Sequence, residues 1–123
     1  MAAADPRVRY AIALMERHCA APLSIVEIAR AVNLSPAHLR RVFHHELGRS
    51  PARVCRELRL DHARHLLQSS FLTVKEVMAA TGWNDPSHFC REFKRRHGHP
   101  PRALRGDAPD GVMDDAVIDE PRR

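Results

Sequence analysis

The sequence predicts an all-α protein of about seven helices, arranged as two helix-turn-helix units joined by a long connector helix. The first observation is an internal repeat, because residues 23–51 and 72–101 share residue types in the same order, with one inserted residue. The second is that both copies carry the residue types that begin and end helices. The third is a segment between the copies, residues 51–68, with no glycine and no proline after its first residue. A supersecondary unit used twice therefore predicts the architecture.

An opening helix is predicted from residue 6 to about residue 19, with Asp5 as its N-cap. Its apolar residues recur at helical spacing and form the expected buried side: Val8, Ala11, Ile12, Leu14 and Met15. Together with the first helix-turn-helix it makes up a first lobe at residues 5–50.

Each copy of the repeat begins with a capping box, Ser24-x-x-Glu27 in the first and Thr73-x-x-Glu76 in the second. In such a box a hydroxyl and a carboxylate accept hydrogen bonds from backbone amides at the helix start. One side of each following helix is apolar, through Ile25, Ile28, Ala29 and Val32 in the first copy and Val74, Val77 and Met78, with Thr81, in the second.

A turn and a second helix follow in each copy. The turn lies around Asn33 or Gly82, residue types that tolerate a left-handed backbone. The second helices start at Ser35-Pro36 and Asp85-Pro86, an N-cap followed by proline at the first helical position. They end before Gly48 and Gly98, and their predicted inward residues are Leu39, Val42, Phe43 and Leu47 in the first copy and Phe89 and Phe93 in the second.

The connector helix is predicted over residues 51–68, begun by Ser50-Pro51. Its apolar residues occupy more than one stripe, which a helix packed against a lobe on each side requires: Val54, Cys55, Leu58, Leu60, Ala63, Leu66 and Leu67. The second lobe covers residues 72–105, so the predicted domain spans 1–105. Trp83, after the second turn, is predicted to be a core residue.

The charge divides unevenly along the chain. Residues 106–123 hold six acidic residues and two arginines, a net of −4, and we predict a disordered acidic tail there. Since the whole chain carries +5, residues 1–105 carry +5 − (−4) = +9. A basic body of this size suits a polyanionic partner, although a merely well-solvated surface would explain the charge equally well.

Several classes of function are disfavoured. The three cysteines lie far apart, and no Cys-x-x-Cys or His-x-x-x-His pair stands with a second pair at zinc spacing, so we predict no metal and no cofactor. No paired carboxylates, nucleophile with a base or Gly-rich phosphate loop appears, and we predict no enzyme activity. No apolar run is long enough for a membrane span and no secretory leader is evident, so we expect a cytoplasmic protein.

At this point the sequence resembles the AraC/XylS DNA-binding domain over residues 8–105. The motifs that carry the resemblance are Ala29, Leu34-Ser35, Arg41-x-Phe43, Gly48-x-Ser50-Pro51, Arg59-Leu60-x-x-Ala63-x-x-Leu66-Leu67, Gly82-Trp83-x-Asp85-x-Ser87-x-Phe89, Phe93-Lys94, Gly98-x-Pro100-Pro101 and Arg105. The resemblance implies seven helices, two recognition helices in successive major grooves of double-stranded DNA, and control of transcription in bacteria. Trp83, Met78, Val54 and Leu104 replace other apolar types of the family, and Pro86 stands where relatives often carry a polar base-reading side chain.

The second helix of each copy is the predicted recognition helix. Its DNA-facing residues are Pro36, Ala37, His38, Arg40, Arg41 and His44 in the first copy and Pro86, Ser87, His88, Cys90, Arg91, Lys94 and Arg95 in the second. An arginine fork fits the O6 and N7 atoms of guanine, and we predict this contact for Arg40 or Arg41 and for Arg91. Lys94, Arg95 and Arg96 are predicted to clamp the phosphate backbone. For each single arginine, a solvated position or a phosphate contact remains the alternative.

Because the repeats differ at these positions, we predict an asymmetric site bound by a monomer. RNA polymerase is a candidate partner of the acidic tail, which would otherwise limit nonspecific DNA binding. We expect no small-molecule effector domain within 123 residues. Whether the chain is a whole regulator or a domain of one, and whether it activates or represses, stays open. The rival interpretation is a protein-docking module.

Overall fold

The computed structural model describes residues 4–105, except the side chain of Arg105. These residues form six α-helices and a 3-10 helix: α1 Pro6–Arg17, α2 Ile25–Ala31, α3 Pro36–Leu47, α4 Pro51–Ser69, α5 Val74–Ala80, α6 Pro86–His97 and η1 Pro101–Arg105. The predicted all-α class and the count of about seven helices are confirmed. The predicted acidic tail, 106–123, lies outside the described residues.

The chain divides into two compact units, and the division falls between Leu58 and Arg59, inside α4. The first unit has a core of side chains from α1, α2, α3 and the first half of α4, including Val8, Ile28, Leu39, Phe43 and Val54. Its largest members are fully buried. Burial of each such side chain stabilises the fold by about 1.5–3 kcal/mol relative to exposure.

The second unit has its own core, built from the second half of α4 together with α5, α6 and the turn between them. Its members are Leu60, Ala63, Leu67, Val77, Met78, Trp83, Phe89 and Phe93. The apolar residues of α4 are therefore spread over more than one stripe because the helix supplies Val54 and Cys55 to one core and three later residues to the other.

The predicted helix starts are confirmed. Ser24 and Thr73 each complete a capping box with the glutamate three residues later. Asp5, Ser35 and Asp85 accept hydrogen bonds from the first turns of α1, α3 and α6. Local hydrogen bonding thus sets where each of these helices begins.

The two turns are also as predicted. Asn33 has φ 61° and Gly82 has φ 77°, so a residue in the left-handed conformation follows both α2 and α5 at the equivalent position. The amide of Leu34 then donates to Ala29 O at 2.9 Å, and that of Trp83 to Met78 O at 2.8 Å. Trp83 is 5% exposed, which confirms it as a core residue.

In the described part of the chain, the helices are too short or too polar to cross a bilayer.

Candidate nucleic-acid interface

Helices α3 and α6 are anchored by inward aromatic and aliphatic side chains. Leu39 and Phe43 of α3 are completely buried, and so are Phe89 and Phe93 of α6. Because each pair is separated by four residues, it occupies one face of its helix. The opposite face of each helix is therefore turned outward within its unit.

The outward face of α3 carries a stripe of four exposed residues, Ala37, Arg40, Arg41 and His44. The last three follow Ala37 by three, four and seven residues, so all four side chains share one face of the helix. No side chain among residues 4–105 forms an ion pair with either arginine. Two adjacent guanidinium groups are thus available to an external acceptor.

Helix α6 carries the corresponding stripe 50 positions later: Ser87, Cys90, Arg91 and Lys94, all exposed. Arginine recurs at the third place of the stripe, whereas the other three residue types differ between the units. The two stripes therefore occupy equivalent helical positions but differ in most of their side-chain chemistry.

The remaining predicted site residues differ in exposure. Pro86 is exposed, while Pro36 and His38 are half-buried. His88 is also half-buried, and its ring packs edge-on against Trp83 with centroids 5.2 Å apart. Arg95 is exposed but forms an ion pair with Glu92 at 3.3 Å.

The carboxylates of the two helices have partners inside their own units. Glu46, near the end of α3, accepts hydrogen bonds from the amides of Ala4 and Asp5 at 2.9 and 3.0 Å. Glu92 of α6 is paired with Arg95. Neither glutamate belongs to an exposed stripe, and the charged side chains of the two stripes are cations.

Arg96, which the sequence predicts to clamp phosphate, has a partner within its own unit. Its guanidinium forms a two-bond pair with Asp61 of α4, Nε–Oδ1 at 2.7 Å and Nη2–Oδ2 at 2.8 Å. The adjacent His97 lies 3.2 Å from the carbonyl oxygen of Leu60. Because this pair engages the Arg96 guanidinium, we expect Arg96 to contribute less to phosphate binding than Lys94.

In the first unit, Glu57 of α4 plays a similar part. It is 9% exposed and forms ion pairs with Arg49, which follows the end of α3, and with Arg53 of α4 itself. Arg53 donates at 3.1 Å. A largely buried carboxylate thus links the segment after α3 to α4 through an ion pair.

Arg59 contacts the turn before α6, a role that sequence reasoning missed. Its Nε and Nη2 donate to the carbonyl oxygens of Thr81 and Gly82 at 3.0 and 3.1 Å. Its guanidinium carbon also lies 4.4 Å from the centre of the Trp83 ring. The only signal in the sequence is the place of Arg59 in a family motif.

Within residues 4–105 no three histidine, cysteine, aspartate or glutamate side chains gather as they would around a metal ion. The donors that this surface does offer are guanidinium, ammonium, imidazole and hydroxyl groups. Such groups hydrogen-bond phosphate oxygens and the acceptor edges of bases.

The sequence matches a family profile described as a helix-turn-helix domain, over residues 28–107. The HTH-type transcriptional regulator GlxA of Rhizobium meliloti is 42% identical over 91 residues, which cover 74% of this chain and 28% of that protein. The HTH-type transcriptional activator RhaS of Escherichia fergusonii is 37% identical over 101 residues, 82% of this chain and 36% of the relative. The chain thus spans about a third of the length of these relatives or less.

Solved structures agree with the sequence matches. A transcriptional regulator from Chromobacterium violaceum, described by its AraC-type DNA-binding domain, is similar with a TM-score of 0.79 and 32% identity, covering 87% of this chain and 96% of the other. The DNA-binding domain of AdpA, solved in complex with a target DNA, is similar with a TM-score of 0.74 and 25% identity, covering 83% and 91%.

Proposed function

The chain belongs to the AraC/XylS family of DNA-binding transcriptional regulators, and from this premise we propose that its two units read one asymmetric stretch of double-stranded DNA. Each unit inserts its own recognition helix, α3 or α6, into a major groove. The two grooves are successive ones on the same DNA face, and one copy of the chain occupies the whole site.

The observation that supports this proposal best is the pair of equivalent exposed stripes. Each has an arginine at its third place, Arg41 in α3 and Arg91 in α6, on a helix whose opposite face is buried. A guanidinium fork donates two hydrogen bonds to guanine O6 and N7, and such a contact discriminates by about 1–3 kcal/mol.

The neighbours of these arginines explain why the two half-sites should differ. In α3 the stripe adds Arg40 and the small Ala37, which suits a guanine-rich box or a close approach to a thymine methyl group. In α6 the equivalent places hold Cys90 and Ser87. Unlike reading surfaces require unlike boxes, so a palindrome bound by a symmetric dimer is not needed.

Contacts to phosphate would orient the helices without reading sequence. We assign this role to His44 in α3 and to Lys94 and Arg95 in α6; Ser87 and His88, at the start of α6, are placed to contact either a base or a phosphate. Arg95, whose side chain is 72% exposed, would exchange Glu92 for phosphate.

In the cell, this chain would act in the cytoplasm, at the nucleoid, and would carry out no reaction of its own. A contact with RNA polymerase would make it an activator, whereas occupation of a promoter alone would make it a repressor. The relatives are longer proteins, and the match to these 123 residues covers only a part of their length.

Affinity selection tests the proposal. The chain is incubated at near-physiological salt with random duplexes of about 30 bp, long enough for two boxes one helical turn apart, and the bound fraction is sequenced. We expect two unlike short boxes at that spacing and a one-to-one complex in sedimentation. Enrichment of a palindrome with two chains bound would contradict the monomer, and enrichment of nothing would contradict sequence-specific reading.

The rival function, a protein-docking module, makes the opposite predictions. Partner binding would depend little on salt, and Arg40, Arg41 and Arg91 would be dispensable. DNA binding through phosphate instead weakens steeply as salt rises, because each neutralised phosphate releases condensed counterions.

A further inference from the structure

The second recognition helix is preceded by a turn that a side chain from another helix holds in place. Arg59 of α4 donates to the carbonyl oxygens of Thr81 and Gly82, the last acceptors at the end of α5. Carbonyls at a helix C-terminus lack intrahelical donors, and a guanidinium supplies charge-assisted bonds to them. One arginine thus binds two successive carbonyl groups at the start of the segment, residues 81–85, that links the two helices of the motif.

The same guanidinium extends the contact to Trp83, which follows the turn. Its carbon lies 4.4 Å from the ring centre, a cation–π arrangement. Among residues 4–105 the indole Nε1 has no hydrogen-bond partner. The position of the indole therefore depends on stacking and packing, and Arg59 covers one of its faces.

Trp83 in turn contacts the first turn of α6. Its ring lies 5.2 Å from that of His88 and 5.6 Å from that of Phe89, centroid to centroid. His88 stands next to the reading residue Ser87, and Phe89 is fully buried. A chain of direct contacts therefore connects Arg59 to the N-terminal end of the recognition helix, the part that reaches base edges.

We propose that Arg59 is a positioning residue for base reading by α6: by holding the turn and the Trp83 ring, it sets the angle at which Ser87 and Arg91 meet the bases. This inference rests on the proposed function. Base recognition by a bidentate guanidinium needs correct geometry at both bonds, so a small tilt of α6 weakens discrimination before it weakens phosphate binding.

The effect should be confined to one box. The place of Trp83 in the first unit is taken by Leu34, which has no aromatic face for a cation to cover. Arg59 lies 15 positions before the first residue of α5. The equivalent position before α2 holds Tyr10, which is half exposed and carries no charge to replace the guanidinium. The first unit therefore lacks this device, and its box serves as an internal control.

The test compares Arg59→Gln and Arg59→Lys with Arg64→Gln, which removes one charge from an exposed arginine of the same helix. Lysine keeps the charge but lacks the fork that binds two carbonyls. Each folded variant is titrated with three duplexes. These are the selected site, the site with box 1 scrambled, and the site with box 2 scrambled, where box 1 is the half-site read by α3 and box 2 the half-site read by α6. The active fraction is measured by stoichiometric titration, and unfolding by circular dichroism.

We expect both Arg59 variants to lose about tenfold in discrimination at box 2 while discrimination at box 1 stays unchanged. Arg64→Gln should retain both. A variant that is less stable, but whose active fraction still discriminates as the parent does, would reduce Arg59 to a structural role and overturn the proposal. Equal losses at both boxes, or full function of Arg59→Lys, would overturn it as well.

A second measurement needs no substitution, because Trp83 is the only tryptophan in the sequence. Its fluorescence reports on the surroundings of the indole ring, which Arg59 covers and His88 contacts edge-on. We expect the emission to change on binding the full site and not on binding the site with box 2 scrambled. An emission that ignores box 2 would overturn the proposal even if every Arg59 variant failed to fold. If the unaltered chain selects no box at all, the proposed function fails first, and this inference fails with it.

Discussion

Arg96 and Asp61 face each other across a two-bond ion pair, with donor–acceptor distances of 2.7 and 2.8 Å, that joins the last turn of α6 to α4. The side chains are 31% and 47% exposed. Lys94, in the same turn of α6, is exposed and has no such partner among residues 4–105. Two cations close together in the sequence therefore differ in their surroundings, and we expect them to differ in role.

We predict that Lys94→Gln and Arg96→Gln separate these roles. Lys94→Gln should weaken binding to all DNA sequences and reduce the slope of log affinity against log salt by about one, because one phosphate contact is lost. Arg96→Gln should leave the slope unchanged and lower the free energy of unfolding by up to about 1 kcal/mol, the range of exposed pairs. Binding titrations over a salt series and denaturant unfolding measure both effects. An equal decrease of the salt slope in the two variants would show that Arg96 contacts phosphate as Lys94 does.

The arginines at the third place of each stripe should control separate boxes. Arg41→Ala is expected to relax specificity at box 1 and Arg91→Ala at box 2, each by about 1–3 kcal/mol, since each loses a bidentate base contact. Repeating the affinity selection with each variant measures the change. Arg17→Ala, at the exposed end of α1, is the matched control and should retain both boxes. Relaxation of both boxes by one substitution would contradict the assignment.

Trp83 should be needed for stability, because it is buried among Phe89, Met78 and the other members of the second core. Trp83→Ala is expected to lower the free energy of unfolding by about 3–5 kcal/mol through lost burial and a cavity. Phe71, which is fully exposed, is the control, and Phe71→Ala should change stability by less than about 0.5 kcal/mol. A loss below about 1 kcal/mol for Trp83→Ala would refute its place in the core.

His97 should make the second unit less stable in acid. Burial lowers its pKa from 6.5, against the opposing effects of the Leu60 carbonyl and Asp61, and Arg64 and Arg96 lower it further. The unfolded chain therefore binds a proton more readily than the folded one as pH falls through 6.5, so the free energy of unfolding falls with pH. Above that range the contribution is constant.

Unfolding of the parent and of His97→Gln at about pH 8 and pH 5 tests this sign. Glutamine can still donate to the Leu60 carbonyl but does not titrate, so the variant should lose less stability between the two pH values. The exposed His45, changed to glutamine, is the control and should follow the parent. A larger loss in His97→Gln than in the parent would show that the pKa is raised.

Much of the local structure could be predicted from the sequence because it depends on neighbours within a few residues. The capping boxes at Ser24 and Thr73 bind groups three residues away, and the left-handed turns at Asn33 and Gly82 follow from their residue types. The exposed stripes of α3 and α6 follow from helical periodicity, since burial of Phe43 and Phe93 turns the opposite face outward. The contacts of these stripes with DNA remain predictions.

The long-range pairs could not be predicted in the same way. Arg59 finds its carbonyl partners 22 and 23 residues away, Arg96 finds Asp61 at 35, and Glu46 finds Asp5 at 41. Arginine and glutamate have long, flexible side chains that suit solvent, phosphate or any acceptor within reach. The sequence pattern is equally consistent with each of these outcomes, so it could not show that Arg96 pairs with Asp61.

By itself, then, the sequence determined the fold class, the repeated unit, the helix boundaries to within a few residues and the residues turned outward on both recognition helices. Only the tertiary structure decided which cations form ion pairs within the described residues and which stay exposed without one. It also decided that α4 supplies both cores from successive halves and contributes Arg59 to the second turn. The physical reason is range: backbone hydrogen bonding and periodicity act within one or two helical turns, whereas the partner of a flexible charged side chain depends on which distant segment the packed core brings beside it.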